Sequence, residues 1–417
     1  MRFVPVWPQP IDAFRSIVAN DVINDLQRKA WDLKGKRVLH INSTEYGGGV
    51  AEVLLAQIPL LEDLGLNAQW GVIDGDERFF EITKGIHNGF QGNKQAAWDS
   101  DMEEHYLETV RLNLESLPGD YDVAVVHDPQ PMAIPMLLGD KRFDIAKHWI
   151  WRCHIDCADP HPEIWAFVRR FLEPYEAMVF TMKEFVQPEV PGDRVVVSAP
   201  SIDPTSPKNS HLEQVTVADI CRQYGIDLKR PVITQVSRFD PWKDPRGVIR
   251  TYQIVKEKIP EVQLLLAGSL AHDDPEGLVL YDELLHERGD DQDLLILSNF
   301  QQVGNTTINC FQRAANVVIQ KSIKEGFGLT VAEAAWKGKP VLGGRAGGIT
   351  LQIEPGRTGY LVDSVEETAA RTIELLENSE LADSMGEAGR ELVRERFLTT
   401  RELGDWLGLF NDVLRTS

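Results

Sequence analysis

Short apolar runs, rich in β-branched residues, recur along the chain between longer stretches of helical periodicity. KRVLHIN (36–42), DVAVVH (122–127), HWIWRC (148–153), AMVFT (177–181) and RVVVS (194–198) form one series. PVITQVS (231–237), VQLLLAG (262–268), DLLILSN (293–299), NVVIQ (316–320), PVLGG (340–344) and GYLVD (359–363) form a second. A strand that is apolar on both faces is buried on both, so these runs predict parallel sheets covered by helices. Amphipathic stretches such as 49–64 and 246–258 supply the helices. Between the series lies APSIDPTSPKNS (199–210), with three prolines and no periodicity, which reads as a linker. The expected class is α/β: two Rossmann-like, doubly wound domains facing a central cleft. The helical pattern after about 380 has no strand behind it, and no repeat of 20–50 residues is present.

Composition narrows the function. At about 150 residues per domain, 417 residues suit two or three domains. Lys plus Arg is 43 against 64 Asp plus Glu, a net charge of −21. Such a surface repels nucleic acid and anionic membrane, while leaving room for a local basic pocket. No apolar run approaches the roughly 18 residues of a spanning helix. MRFVPVWPQPID has prolines and an aspartate where a secretory h-region would stand, so a cytoplasmic protein is expected. Four cysteines make no disulfide framework.

In doubly wound folds ligands bind beyond the carboxyl ends of the strands. The richest such segment is KSIKEGFGLTVAEAAWKGKP (321–340). Gly326 and Gly328 allow close backbone approach, and a helix opening near Gly328 offers the N–H groups of residues 327–330 to a phosphate. Glu325 and Glu333, eight apart, suit hydroxyl pairs of a sugar or ribose. Taken singly, each glutamate also fits a glycine turn followed by a helix start. QVSRFDPWKDP (235–245) places Arg238 and Lys243 after a strand, with Asp244 as N-cap and Pro245 as first helical residue. Two cations in an acidic chain suit a pyrophosphate, although solvated surface charge gives the same pattern. HINSTEYGGGVAEVLL (40–55) carries Gly47, Gly48 and Gly49; Glu52 stands where a dinucleotide fingerprint needs glycine, which argues against hydride transfer. No phosphate loop of the G-x-x-x-x-G-K-[ST] type and no nucleophile elbow is present. In WIWRCHIDCADPH (149–161), Cys153, His154, Cys157 and His161 invite a zinc reading, but C-x3-C is not a usual structural spacing. The alternatives are a buried strand end with small thiols, or a strand end from which His154 and Asp156 point into the cleft. His127 and Asp128 form a similar pair, with a structural role the simpler reading for His127.

Together, EGFGLTVAE, the upstream Arg238 and Lys243, and the glycine loop resemble retaining glycosyltransferase family 4, which has the GT-B fold. HINSTEYGGGVAEVL, WGVIDGDERFFEITKGIHNGFQGN (70–93), PSIDPTSPKN (200–209) and QKSIKEGFGLTVAEAAWKGKPV (320–341) are similar to its trehalose-forming branch and the related phosphorylases. The resemblance covers nearly the whole chain. It implies an acceptor-side domain over 1–204, with a helix over 397–417 crossing back, and a donor-binding domain over 205–396. It implies that Arg238 and Lys243 hold a donor diphosphate, that Glu333 accepts ribose hydroxyls and that Glu325 binds the donor sugar. Backbone from Gly326 through Phe327, Gly328 and Leu329 to Thr330 would line sugar and phosphates, with Gly48 and Gly49 approaching from the other domain. His154 would lie at the reacting centre, making Glu325, His154, Arg238 and Lys243 the catalytic set. His87, Asn88, Gln91 and Asp156 are the acceptor-side candidates.

The implied reaction moves glucose from ADP-glucose or UDP-glucose to free glucose, with retention, giving α,α-trehalose. No D-x-D motif stands at the end of any of the runs above; Asp273-Asp274 and Asp290-Asp291 are adjacent pairs in polar loops. No metal site and no obligatory cofactor are therefore expected, with Mg²⁺ at most a stimulant. Partners are nucleoside-diphosphate glucose, glucose and trehalose, not nucleic acid or membrane, and a homodimer is an open option. The competing readings are a trehalose phosphorylase, a transferase with another acceptor, a non-catalytic sugar-nucleotide sensor and a dinucleotide-dependent enzyme.

Overall fold

The computed structural model describes residues 1–46, 48–270 and 275–415; Gly47 and the Asp273-Asp274 pair lie outside them. The chain divides into two units, Met1–Pro200 with Thr399–Ser417, and Ser201–Leu398.

Unit 1 holds β1 (Arg2–Phe3), β2 (Arg37–Asn42), β3 (Asn67–Val72), β4 (Tyr121–His127), β5 (Ala146–Cys153), β6 (Ala177–Phe180) and β7 (Val195–Val197). Their order is β1-β3-β2-β4-β5-β6-β7, parallel except for β1, which runs antiparallel to β3. Unit 2 holds β8 (Val232–Val236), β9 (Gln263–Gly268), β10 (Leu294–Ser298), β11 (Val317–Gln320), β12 (Val341–Gly344) and β13 (Gly359–Val362). Their order is β10-β9-β8-β11-β12-β13, all parallel. All eleven expected runs are strands. The unexpected ones are β1, only two residues long, and β3, whose NAQWGV mixes polar residues and a glycine into the apolar pattern.

Each sheet has a point where the winding reverses: between β2 and β4 in unit 1, and between β8 and β11 in unit 2. Loops leaving neighbouring strands part company there and open a crevice at the carboxyl ends. The strands beside these crevices are the ones that carry the glycine loop, His127, Arg238 and the 321–328 segment.

Both faces of the unit 1 sheet are buried. Trp149 and Trp151 of β5 pack with Tyr106, Phe167 and Phe171, while Ile150 faces the opposite cluster. That second cluster is closed by the helix Thr399–Arg415, which buries Leu403, Trp406, Leu407 and Phe410 at helical i, i+3, i+4, i+7 spacing. This return explains the strandless helix at the end of the pattern. The crossings fall at 200/201 and 398/399, against expected boundaries of 204/205 and 396/397. Where the two passing segments meet, Ile202 N–H donates to Phe397 O (2.9 Å) and Ile202 bridges Leu398. Nor are residues 203–210 a loose linker. Asp203 accepts from the Thr205 N–H (2.8 Å), Asn209 Nδ2 donates to Asp203 O (3.0 Å), and Asn309 Nδ2 donates to Pro207 O and Ser210 O. Among the described residues no helix is long and apolar enough to cross a membrane.

Candidate active site

In unit 2 the loop after β8 is pressed against the end of β9. A Cβ on Gly268 would stand 1.9 Å from Ser237 O, so only glycine fits. Asp240 then caps a short turn, accepting from the Trp242 N–H (2.9 Å), and also pairs with Arg238 Nη2 at 3.3 Å. Asp244 sits in the left-handed region (φ +48°) and caps the helix Pro245–Lys258 through the Gly247 N–H (3.0 Å). The expected N-cap and proline start are therefore found, at the cost of a strained backbone residue.

Two bridges join this loop to the one leaving β11. Lys321 Nζ lies 2.7 Å from Asp244 Oδ2, and Ile323 N–H donates to Trp242 O (2.8 Å). The joined loops bring Lys243 Nζ to 2.6 Å from Glu325 Oε2. The same oxygen accepts from Ser322 Oγ (3.0 Å), which in turn accepts from Gln320 Nε2 (3.1 Å). Glu325 is 8% exposed, so this carboxylate is held on a prepared set of donors rather than left in water.

Gly328, at φ +81°, caps the helix Leu329–Trp336, as the sequence suggested. Gln352 Nε2 donates to Phe327 O (2.6 Å), and the Gly348 N–H approaches Glu325 O at 3.4 Å. With these carbonyls pinned, the first-turn N–H groups of Leu329 and Thr330 stand at the helix start, beside Gly326 and Phe327. Glu333 lies one turn further in, 1% exposed. Lys208 Nζ is 3.0 Å from its Oε1, and Gln312 Nε2 donates to its Oε2 at 3.3 Å. Lys208 was hidden in the segment read as a linker. Its anchored neighbours, with Lys337 Nζ 2.9 Å from Asn209 Oδ1, put it there.

Unit 1 places its candidates at the ends of β2, β4 and β5. Gly48 caps the helix Gly49–Asp63, whose first-turn N–H groups are open in the same way. Asp128 adopts φ +61°; its N–H donates to Arg152 O (2.8 Å) and its Oδ1 accepts from the His154 N–H (2.7 Å). Burial pushes the Asp128 carboxyl up to about 7. His154 is not a lone residue. Its Nε2 is 3.0 Å from His127 Nδ1, and His127 Nε2 is 3.0 Å from His40 Nδ1. The rings stack with centroids 5.3 Å apart at both steps. His40 and His127 are fully buried, and burial lowers His40 to about 3 and His127 and His154 well below the usual imidazole range. Beside them the buried Arg152 guanidinium faces the charges of Glu402 and Asp128, and burial lowers it as well.

His127 is buried, as a structural role requires, and it also meets His154; His40, not singled out in the sequence, completes the line. A histidine inside an apolar strand looks structural; only the register, with His40 opposite Val125 of β4, sets it beside His127. Asp156 is 4% exposed and accepts from the Ala158 N–H at 3.1 Å. His87 and Asn88 lie in the last turn of the helix Glu77–Phe90, and Gln91 follows as its C-cap, buried. The zinc reading finds no support in the geometry: Cys153 and Cys157 lie side by side in the apolar cluster, Sγ atoms 3.9 Å apart, while His154 turns to His127. Among the described residues no group of three His, Cys, Asp or Glu side chains is arranged to hold a metal ion.

A doubly wound pair of units with cations and carboxylates at a switch point is the architecture of GT-B glycosyltransferases. Residues 217–392 match the family of glycosyl transferases group 1, and residues 40–187 match the trehalose synthase N-terminal domain. The solved structure described as trehalose-6-phosphate from E. coli bound with UDP-2-fluoro glucose shares this fold, with a TM-score of 0.72 at 15% identity. The match covers 92% of this chain and 99% of that one. The trehalose synthase of Thermococcus litoralis is 44% identical over 402 residues, 96% of each chain, and that of Rubrobacter xylanophilus is 44% identical over 404 residues, again 96% of each. The chain belongs to the trehalose synthase family.

Proposed function

We propose that the protein is a retaining glycosyltransferase that moves glucose from a nucleoside-diphosphate glucose, ADP-glucose or UDP-glucose, to the anomeric hydroxyl of free glucose. The products are α,α-trehalose and the nucleoside diphosphate, and the reaction runs in both directions in the cytoplasm. The observation that carries this reading is the junction of the β8 and β11 loops, where Lys243, from the loop that also carries Arg238, meets Glu325 at 2.6 Å, three residues before an open helix start at Gly328.

Each part has a chemical task. Lys243 and Arg238 neutralise the diphosphate as it departs, and the first-turn N–H groups from Gly328 onward accept the remaining negative charge. Glu325, released from Lys243 as the diphosphate arrives, binds hydroxyls of the donor sugar. Glu333 takes the ribose diol when Lys208 yields to it. The bond from C1 to the phosphate oxygen breaks while the bond from C1 to the acceptor oxygen forms on the same face. The acceptor proton passes to the departing phosphate oxygen. Both glutamates are held by lysines, so neither is placed as the free nucleophile that retaining hydrolases use. The protein supplies orientation and charge. No protein-bound metal is required by this scheme, and Mg²⁺ enters at most as a stimulant bound to the diphosphate.

The test incubates the protein with glucose and each nucleoside-diphosphate glucose, followed by anomeric proton NMR. α,α-Trehalose with stoichiometric nucleoside diphosphate is the expected outcome. Donor hydrolysis without trehalose removes the acceptor assignment, and phosphorolysis of trehalose by inorganic phosphate alone would make the protein a phosphorylase.

A further inference from the structure

The line of three imidazoles in unit 1 has a polarity. Each contact between rings needs one N–H and one lone pair, and a neutral ring has one of each. Burial keeps all three neutral. Two arrangements satisfy both 3.0 Å contacts. In one, the N–H groups run inward from His154 to His40 and leave an N–H on His40 Nε2. In the other they run outward and leave a lone pair there. His40 Nε2 is buried without a hydrogen-bond partner, beside the rings of Trp406 and Phe410. A buried N–H with no acceptor is the rarer defect in folded proteins, so the outward arrangement is favoured.

We propose that His40 and His127 are positioning residues that fix His154 with its proton on Nδ1, so that His154 meets the sugar as a neutral hydrogen-bond donor and takes no part in proton transfer. The contacts that hold the ring are then complete. Its Nε2 is occupied by His127 Nδ1–H, its backbone N–H is held by Asp128, and Nδ1 is the nitrogen outside the chain. A donor of fixed direction suits a sugar hydroxyl oxygen, and an Nδ1 that already carries its proton has no lone pair with which to take another. The part of the inference concerning sugar rests on the function proposed above; the tautomer does not.

Two measurements separate these parts. The first is ¹⁵N–¹H correlation NMR of the full-length, histidine-labelled protein near pH 7, with His154 assigned by His154→Gln. A protonated Nδ1 and a bare Nε2 on His154 are expected. A protonated Nε2, or a doubly protonated ring, overturns the proposal whatever the protein catalyses. The second compares His127→Leu, which removes the donor, with His127→Asn, whose amide N–H stands where Nδ1–H stood. His127→Leu should lower kcat/KM by about 10-fold to 100-fold, the scale of losing an outer partner of a functional histidine. His127→Asn should recover to within about 3-fold, since the donor is kept. Equal loss in both variants overturns the positioning role. Should His127→Leu not fold, the tautomer measurement and the Asn variant still decide. A correct tautomer in a protein that forms no trehalose would sink the proposed function and leave the proton assignment standing.

Discussion

Replacing His40 by asparagine should flatten the response of unit 1 to acid. His40 is fully buried and its ring is held to about 3, so it stays neutral in the folded protein while the unfolded chain takes up a proton near pH 6.5. A group whose native pKa is depressed gives stability that is complete above the unfolded value and lost as pH falls toward the native one. For a shift from 6.5 to about 3, at about 1.36 kcal/mol per unit, the whole loss is about 5 kcal/mol. By the same linkage, about 2.7 kcal/mol of it is gone at pH 4.5 and almost none at pH 7.5. Asparagine does not titrate, and its amide N–H can still serve His127. The stability gap between the parent and His40→Asn should therefore shrink by about 2.7 kcal/mol from pH 7.5 to pH 4.5. Urea unfolding followed by tryptophan fluorescence suits the test, because eight of the ten tryptophans lie within Met1–Pro200 and Thr399–Ser417. If the gap is the same at both pH values, the neutral buried ring is wrong. His127 and His154 act in the same direction below pH 6.5, and Asp128, raised to about 7, opposes them as the pH rises from 4 to 7.

Arg238→Ala and Lys243→Ala should each lower kcat/KM by about 3 kcal/mol of transition-state stabilisation, the scale of removing one oxyanion donor; unchanged steady-state turnover in both would refute their role at the diphosphate. Gly268→Ala should destabilise unit 2 by about 1–3 kcal/mol, the range for overpacking, because the new methyl meets Ser237 O at 1.9 Å; a Tm equal to that of the parent would contradict it. Activity should survive excess chelator. Complete loss restored by a divalent cation would refute the metal-free scheme.

The strands were legible because a strand buried on both faces leaves a continuous apolar signature that needs no partner to be seen. β3 escaped because half of NAQWGV is polar or glycine, and its place is set by pairing with β2 and β1. Lys243, Glu325 and Gly328 could be picked out as neighbours because loop signals are local, and the structure does bring Lys243 to Glu325 and open a helix after Gly328. Lys208 and His40 could not. Lys208 reaches Glu333 only because the turns of residues 203–210 pack on unit 2, and prolines in sequence do not tell a packed turn from a free one. His40 acquires its partner through sheet register, a property of two strands that neither sequence run contains.

The return of the helix Thr399–Arg415 to unit 1 sets an order of events during synthesis. When the ribosome has made the first 200 residues, all seven strands of that sheet exist, but Trp70, Val125 and Ile150 still await Leu403, Trp406 and Phe410. Unit 2, whose chain is continuous from Ser201 to Leu398, can close first, although it is made second. Throughout that interval the nascent first unit carries an open apolar face, which a chaperone or a slow stretch of translation would have to shield. A premature stop near residue 398 would spare every residue assigned here to the donor and still yield an aggregating product.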